Sequence, residues 1–321
     1  MVYEQFQKAV KESLKERLGS GYSLTLQSVT KNNGLILNGI CISKANENTA
    51  PAIYLQNFYE IYKKGTPFSQ VLDEILDLYQ SQHLPEECFL EELHSLNPLT
   101  DRIMFRLINE SANESLLSDL PHLSYPELDL ALIFCLSLSK SEDHLFSALI
   151  HKSHQKLWNL STEDLFNAAN SNTPRLFPAR IQSLMDVIKE IAGKASDGEI
   201  KEEDWDGFFE PSPLSPPMYV LTNSHGAHGS ACMFYEGILK DFAERTGGDL
   251  IILPSSIHEV LLIPYSNHIS YEELAKTVFS INQEEVAKED RLSNHIYLYS
   301  KSQEQLSIAF TSSFPIGTMN P

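Results

Sequence analysis

The chain has 321 residues, 42% of them apolar and 10% aromatic, which is enough for a hydrophobic core and excludes disorder of the whole chain. Its 24 Lys+Arg stand against 43 Asp+Glu, a formal net charge of −19. A field of that sign repels phosphates, so non-specific nucleic-acid binding and anionic membrane surfaces are excluded as partners.

A length of this order corresponds to about two domains. Met1 to Gly19 interleaves Glu4, Lys8, Lys11, Glu12, Lys15, Glu16 and Arg17 with apolar residues, so it lacks the uninterrupted apolar core of a secretory leader. The most apolar stretch, Leu128 to Leu138, is interrupted by Asp129 and too short to span a bilayer. A water-soluble, cytoplasmic protein is expected. Cys41, Cys88, Cys135 and Cys232 are scattered without any C-x-x-C spacing, so they read as buried thiols rather than metal or redox ligands, and no cofactor is implied.

Phe6, Val10, Leu14 and Leu18 recur every four residues between charges, which predicts a helix over residues 3–18 stopped by Gly19. Tyr22 to Val29 alternates apolar and polar, Lys31-Asn-Asn-Gly34 has turn chemistry, and Leu35 to Ile42 reads as the second strand of a hairpin. Pro51 to Leu55 is a third strand. Asn57 to Lys64 starts a helix, and Thr66 caps another from Pro67 through Phe68, Val71, Leu72, Ile75, Leu76 and Tyr79. Residues 1–95 therefore form an α-β-β-β-α-α module.

Residues 96–310 form a larger part. Arg102 to Ile108, Leu128 to Leu138 and His144 to Lys152 read as strands. Ser161-Thr-Glu-Asp164 is a capping-box variant opening a helix, and Ile181, Leu184, Met185, Ile188 and Ile191 line another. Residues 193–217 carry seven acidic residues and four prolines and read as a linker or insertion. Trp205, Phe208 and Phe209 in it are expected to pin it to the body, or else to form an exposed contact site. Strands follow at Met218–Leu221, Leu250–Leu253 and Val260–Ile263, with a helix over Ala231–Arg245 stopped by Gly247-Gly248. Ser270-Tyr-Glu-Glu273 opens a further helix, His295–Ser300 and Leu306–Phe310 are the last strands, and residues 311–321 read as a frayed tail. The expected fold class is α+β, the second part having helices packed on an antiparallel-rich sheet.

Several phrases resemble a bacterial family with no assigned activity, domain of unknown function 5688. They are Ala52-Ile-Tyr-Leu55 with Phe58-Tyr59, Arg106-Leu-Ile-Asn109, Leu128-Asp-Leu-Ala131 and Trp158-Asn-Leu-Ser-Thr-Glu-Asp-Leu165. Leu253-Pro-Ser-Ser-Ile-His-Glu259 and Glu289-Asp-Arg-Leu-Ser293 before Tyr297 complete the set. The resemblance spans nearly all of residues 1–310 and implies no chemistry. The α-β-β-β-α order is also similar to small secretion-chaperone folds, an analogy of fold alone.

The most chemical-looking segment is Pro254-Ser-Ser-Ile-His-Glu259. In an enzyme, His258 would be a general base, Ser255 or Ser256 a nucleophile, and Glu259 the group orienting the ring. In a structural turn, the serines satisfy backbone groups and His258 bonds locally; neighbouring residues in an extended turn point apart, which favours the turn. A second candidate is a metal site in which His225 and His228 share an ion with His258 or Glu259 as third ligand. The same loop precedes a predicted helix, so its amides, with Gly226 and Gly229, could hold an anion instead. His144, His151 and His154, and the acidic run Glu202, Glu203, Asp204 and Asp206, read as solvated surface. With no complete catalytic motif, the expected function is a non-enzymatic, chaperone-like interaction protein whose acidic surface suits a basic partner. The competing expectation is a hydrolase or metal-dependent enzyme using residues 254–259.

Overall fold

The computed structural model describes residues 1–44, 52–81, 100–138, 147–195, 216–313 and 316. They fall into two compact units, one holding the described residues up to Ser81 and the other those from Thr100 onward. The fold is α+β, and every strand pair is antiparallel.

In the first unit, α1 (Tyr3–Leu18) buries Phe6, Val10 and Leu14 on one stripe and ends at Gly19, whose φ of +78° suits a residue without Cβ. β1 (Tyr22–Thr30) and β2 (Ile36–Lys44) pair over nine positions, from Tyr22 opposite Lys44 to Thr30 opposite Ile36. The turn between them holds Asn33 and Gly34 in the left-handed region, where Asn and Gly are the tolerant residues. β3 (Ala52–Tyr54) pairs with β2, and α2 (Gln56–Lys63) and α3 (Phe68–Ser81) follow. The core joins the α1 stripe to Leu24, Ile40, Ile42, Ile53 and Leu55 and to Val71, Leu72 and Ile75 of α3. The α-β-β-β-α-α order is the one the hydrophobic spacing predicts.

The second unit contains two sheets. In the smaller, β6 (Leu130–Ser137) pairs along one edge with β4 (Ile103–Asn109) and along the other with β5 (His122–Tyr125) and β7 (Ser147–Leu149). All eight residues of β6 are buried. The short α4 (Glu114–Leu117) precedes β5 in the chain, and α5 (Lys152–Trp158) and α6 (Thr162–Leu176) follow β7. Ser161 caps α6: its Oγ accepts from Asp164 N–H at 3.0 Å, and Asp164 Oδ2 accepts from Ser161 N–H at 2.8 Å.

The larger sheet has six strands in the order β13-β12-β10-β11-β9-β8, formed by β8 (Ala179–Ser183), β9 (Tyr219–Asn223), β10 (Leu250–Leu253), β11 (Val260–Pro264), β12 (Ile296–Ser300) and β13 (Gln305–Phe310). α7 (Leu184–Ala195), α8 (Ile238–Thr246) and α9 (Tyr271–Glu284) accompany it. Among the described residues, no helix is long and apolar enough to cross a membrane.

Three local expectations change. The helix expected from Ile181 begins only at Leu184, because residues 179–183 pair in register with β9 and cross-strand bonding overrides the helical spacing. The helix expected over Ala231–Arg245 is two pieces, a 3-10 segment at Gly229–Phe234 and then α8. The break is Gly237, at φ +80°, which caps α8 by accepting from Asp241 N–H at 2.8 Å. Of the strand expected over His144–Lys152, the described residues Ser147–Leu149 are strand and Lys152 opens α5, and β5 has no counterpart among the predicted elements. Residues 196–215 of the acidic insertion, with Trp205, Phe208 and Phe209, lie outside the described residues, as do His144 and Cys88. Most of the 311–321 tail lies outside them too, though Ser312 and Ile316 are buried.

The two sheets of this unit meet through Tyr297 of β12. Its Oη is fully enclosed, 2.7 Å from both the Leu128 carbonyl and Asp129 Oδ1, and shares its proton between them. Tyr297→Phe keeps the ring and leaves two buried acceptors without this donor. We expect a loss of about 1–3 kcal/mol in urea unfolding, with unchanged slope. An unchanged midpoint would show that the hydroxyl does not tie the sheets.

Candidate functional site

Residues 254–259 connect β10 to β11 and are zipped to residues 290–293. Ser293 N–H donates to the Pro254 carbonyl at 2.8 Å, Leu292 N–H to the Ser255 carbonyl at 3.1 Å, and Ile257 N–H to the Asp290 carbonyl at 2.7 Å. Within the turn, Ser256 Oγ accepts from the His258 N–H at 2.9 Å, and its hydroxyl bonds Glu259. The ring nitrogens of His258 face other groups: Nδ1 accepts from the backbone N–H of His228 at 3.3 Å, and Nε2 faces Asp290 Oδ1 at 3.1 Å. The structure thus brings Ser256 onto backbone and Glu259, and His258 onto His228 and Asp290. A lone pair held on Nδ1 by an amide leaves the proton of the neutral ring on Nε2, the nitrogen that faces Asp290.

His228 and His258 lie side by side, ring centroids 5.5 Å apart, whereas His225 sits edge-on to Phe177 with Nδ1 3.0 Å from Ser224 Oγ. Among the described residues, no three or more His, Cys, Asp or Glu side chains are grouped to hold a metal ion, so the set His225, His228 and His258 does not converge. Of the loop amides considered for an anion, Ser230 N–H bonds the Ile257 carbonyl and Ala231 N–H that of His228. Gly229 is needed there, because a Cβ would lie 2.2 Å from Thr222 Oγ1 and 2.6 Å from the His258 carbonyl. His151 and His154 cap α5, the amide of His151 donating to Nδ1 of His154 at 3.1 Å.

Burial holds the His228 imidazole down to about 2, helped by the positive charge of Arg106 and by His258. The Glu259 carboxyl is pushed up by burial, against the pull of His258 and Ser256. Arg106, His228, His258, Glu259 and Asp290 thus share one partly enclosed electrostatic cluster.

A second polar cluster has no local sequence pattern. Asp129 ends a short 3-10 turn at φ +51°, a conformation Asp tolerates, just before β6. Its carboxylate accepts from Tyr297 Oη on Oδ1 and from Asn109 Nδ2 at 2.7 Å on Oδ2. Ser293 Oγ lies 3.0 and 3.2 Å from the two oxygens. Asn109 is oriented for this, its Oδ1 accepting from Ser111 Oγ and from Ala112 N–H, each at 3.0 Å. Burial pushes the Asp129 carboxyl up, and these donors oppose it. His295 Nε2 stands 3.8 Å from Asp129 Oδ2, too far for a hydrogen bond, while its Nδ1 accepts from Ser312 N–H at 2.9 Å. The two side chains open onto a pocket of about 410 Å³ shared with Ser111, Asn294, Ser313 and Ile316. Here too the amide on Nδ1 leaves the imidazole presenting a proton, so the pocket offers a polar ligand a donor beside a satisfied carboxylate. The one sequence signal for it is a lone Asp in the most apolar stretch. Asn109, Asp129, Ser293 and Tyr297 also come from, or stand beside, three of the phrases that carry the family resemblance.

His228 gives the clearest dependence on pH. The folded chain holds it neutral where the unfolded chain, with an ordinary imidazole, is protonated, so stability falls as pH drops from about 6.5 toward 2. His228→Asn tolerates the left-handed backbone and should flatten the decline by about 1.4 kcal/mol per pH unit between pH 6 and pH 4. Urea unfolding across that range checks it, and parallel profiles would contradict it.

No curated protein and no solved structure matches the chain. A family model described as a family of unknown function matches residues 3–301. With the model covering most of its length, and with the resemblance of its phrases, the chain belongs to the family of unknown function DUF5688.

Proposed function

We propose that this chain is a non-enzymatic, chaperone-like binding protein of a bacterial cytoplasm, and that its partner presents a basic surface. The observation that carries the reading is the state of its two best-placed imidazoles. His258 and His295 each accept a backbone N–H on Nδ1, so each presents a proton rather than a lone pair on Nε2, which disfavours both as general bases. The net charge of −19 supports the partner's sign, since complementary potential steers association and rejects like-charged surfaces.

The second reading is a hydrolase or metal-dependent enzyme built on residues 254–259, and the observation in its favour is the His258–Asp290 pair at 3.1 Å. Its weakness is that Ser256 bonds its own turn and Glu259.

A fluorescent oligolysine probe separates the two readings. The full chain should bind it at about 50 mM salt and lose at least about tenfold in affinity by about 300 mM, as screening predicts. It should also leave ester, phosphoester and peptide substrates unturned. Absence of binding at low salt, or turnover abolished by His258→Ala in a folded variant, would overturn the first reading.

A further inference from the structure

Strand edges that are left bare invite pairing with another chain, and folds cover, shorten or charge them. The second unit does so at β4. Thr173 Oγ1 of α6 accepts from the Phe105 N–H at 3.0 Å, and Asn172 Nδ2 donates to the Thr100 and Ile103 carbonyls at 2.7 and 3.0 Å. Among the described residues, the first unit has nothing comparable at β1. This strand is nine residues long and pairs with β2 along one edge; among the described residues no strand takes the other. Its sequence, Tyr-Ser-Leu-Thr-Leu-Gln-Ser-Val-Thr, holds no charge, proline or glycine, and its pairing with β2 runs without a bulge. Ser23, Thr25, Gln27, Ser28 and Thr30 are exposed.

We propose that the open edge of β1 pairs antiparallel with β1 of a second copy of this chain, about a two-fold axis at Leu26, and so joins two three-stranded sheets into one. Three features of the strand point to a second copy. A two-fold axis at Leu26 overlaps all nine residues, with Tyr22 opposite Thr30, Ser23 opposite Val29, Leu24 opposite Ser28 and Thr25 opposite Gln27. Opposed positions are an even number of residues apart, so they lie on the same face of the joined sheet. Tyr22, Leu24 and Leu26, which pack on the core of the unit, therefore extend one apolar-side face, and Ser23, Thr25 and Gln27 extend the polar one. Finally, no like charges are opposed across the pair, although each copy carries −19; a neutral strand lets two acidic chains approach. The remaining repulsion is long-ranged and screenable, so the dimer tightens as salt is added, opposite to an association held by ion pairs.

Sedimentation equilibrium of the full chain, at concentrations up to about 200 µM in about 20 and about 300 mM NaCl, tests this. The expected result is a monomer–dimer equilibrium that is tighter by at least about threefold at the higher salt. Thr25→Lys with Gln27→Lys sets like charges opposite one another on the polar face and should weaken the dimer by about tenfold or more, with circular dichroism and Tm unchanged. If that pair disturbs the fold, Gln27→Lys alone sets the lysines of the two copies diagonally across the axis and should weaken the dimer by a smaller factor. A monomer at every concentration, a dimer indifferent to these substitutions in folded protein, or a dimer that loosens with salt would overturn the proposal.

Discussion

The second unit depends on a partly buried carboxylate. Asp129 stands where the 3-10 turn before β6 meets the segment leading into β12, and it gathers Tyr297, Ser293 and Asn109 onto two oxygens. A charge in that position is destabilising unless its lone pairs are filled. The donors come from β4 and from the far end of the chain, so the bonds that satisfy the carboxylate also fix how the two sheets meet. Asn109 and Ser293 are in turn oriented by backbone: Ala112 N–H donates to Asn109 Oδ1, and His295 N–H donates to Ser293 Oγ at 3.0 Å. The network is ordered outward from one residue.

The same pattern recurs around His258. The turn after β10 is held against residues 290–293 by backbone bonds, and the Thr222 hydroxyl closes on the His258 carbonyl at 2.8 Å. The close approach at Gly229 brings the His228 loop within reach of the His258 ring. In both places an imidazole is fixed at Nδ1 by a backbone amide from a distant segment. Fixing the tautomer that way stabilises the fold and leaves the ring able to donate, which is useful for holding a partner or a polar ligand and poorly suited to accepting a proton.

Much of the architecture was legible because it is local. The four-residue spacing of Phe6, Val10 and Leu14, the alternation through Tyr22–Val29 and the Ser161–Asp164 cap are written in neighbouring residues, and the structure keeps them. The failures are also instructive. Ile181 fits a helical stripe, yet pairing with β9 takes it into a strand; Gly237 breaks a stripe that periodicity alone runs through. The cluster at Asp129 was invisible for a different reason. Asn109, Asp129, Ser293 and Tyr297 lie far apart along the chain, Asp129 and Tyr297 by 168 residues, and no spacing rule joins them. Conversely, Ser255 to Glu259 drew attention because hydroxyl, imidazole and carboxylate are adjacent in sequence. Nearness in sequence does not bring the reactive atoms together: Ser256 Oγ accepts from the His258 N–H, whereas the His258 ring faces His228 and Asp290.

In both polar clusters of the second unit a backbone amide holds the imidazole at Nδ1, which leaves Nε2 as the donor of the neutral ring. Long-range proton–nitrogen NMR of the histidine rings in uniformly labelled protein, near pH 7.5, reads the tautomer of each ring. We expect His258 and His295 each to show a protonated Nε2 and an unprotonated, hydrogen-bond-accepting Nδ1. Either ring protonated at Nδ1, or averaging between the two tautomers, would contradict it.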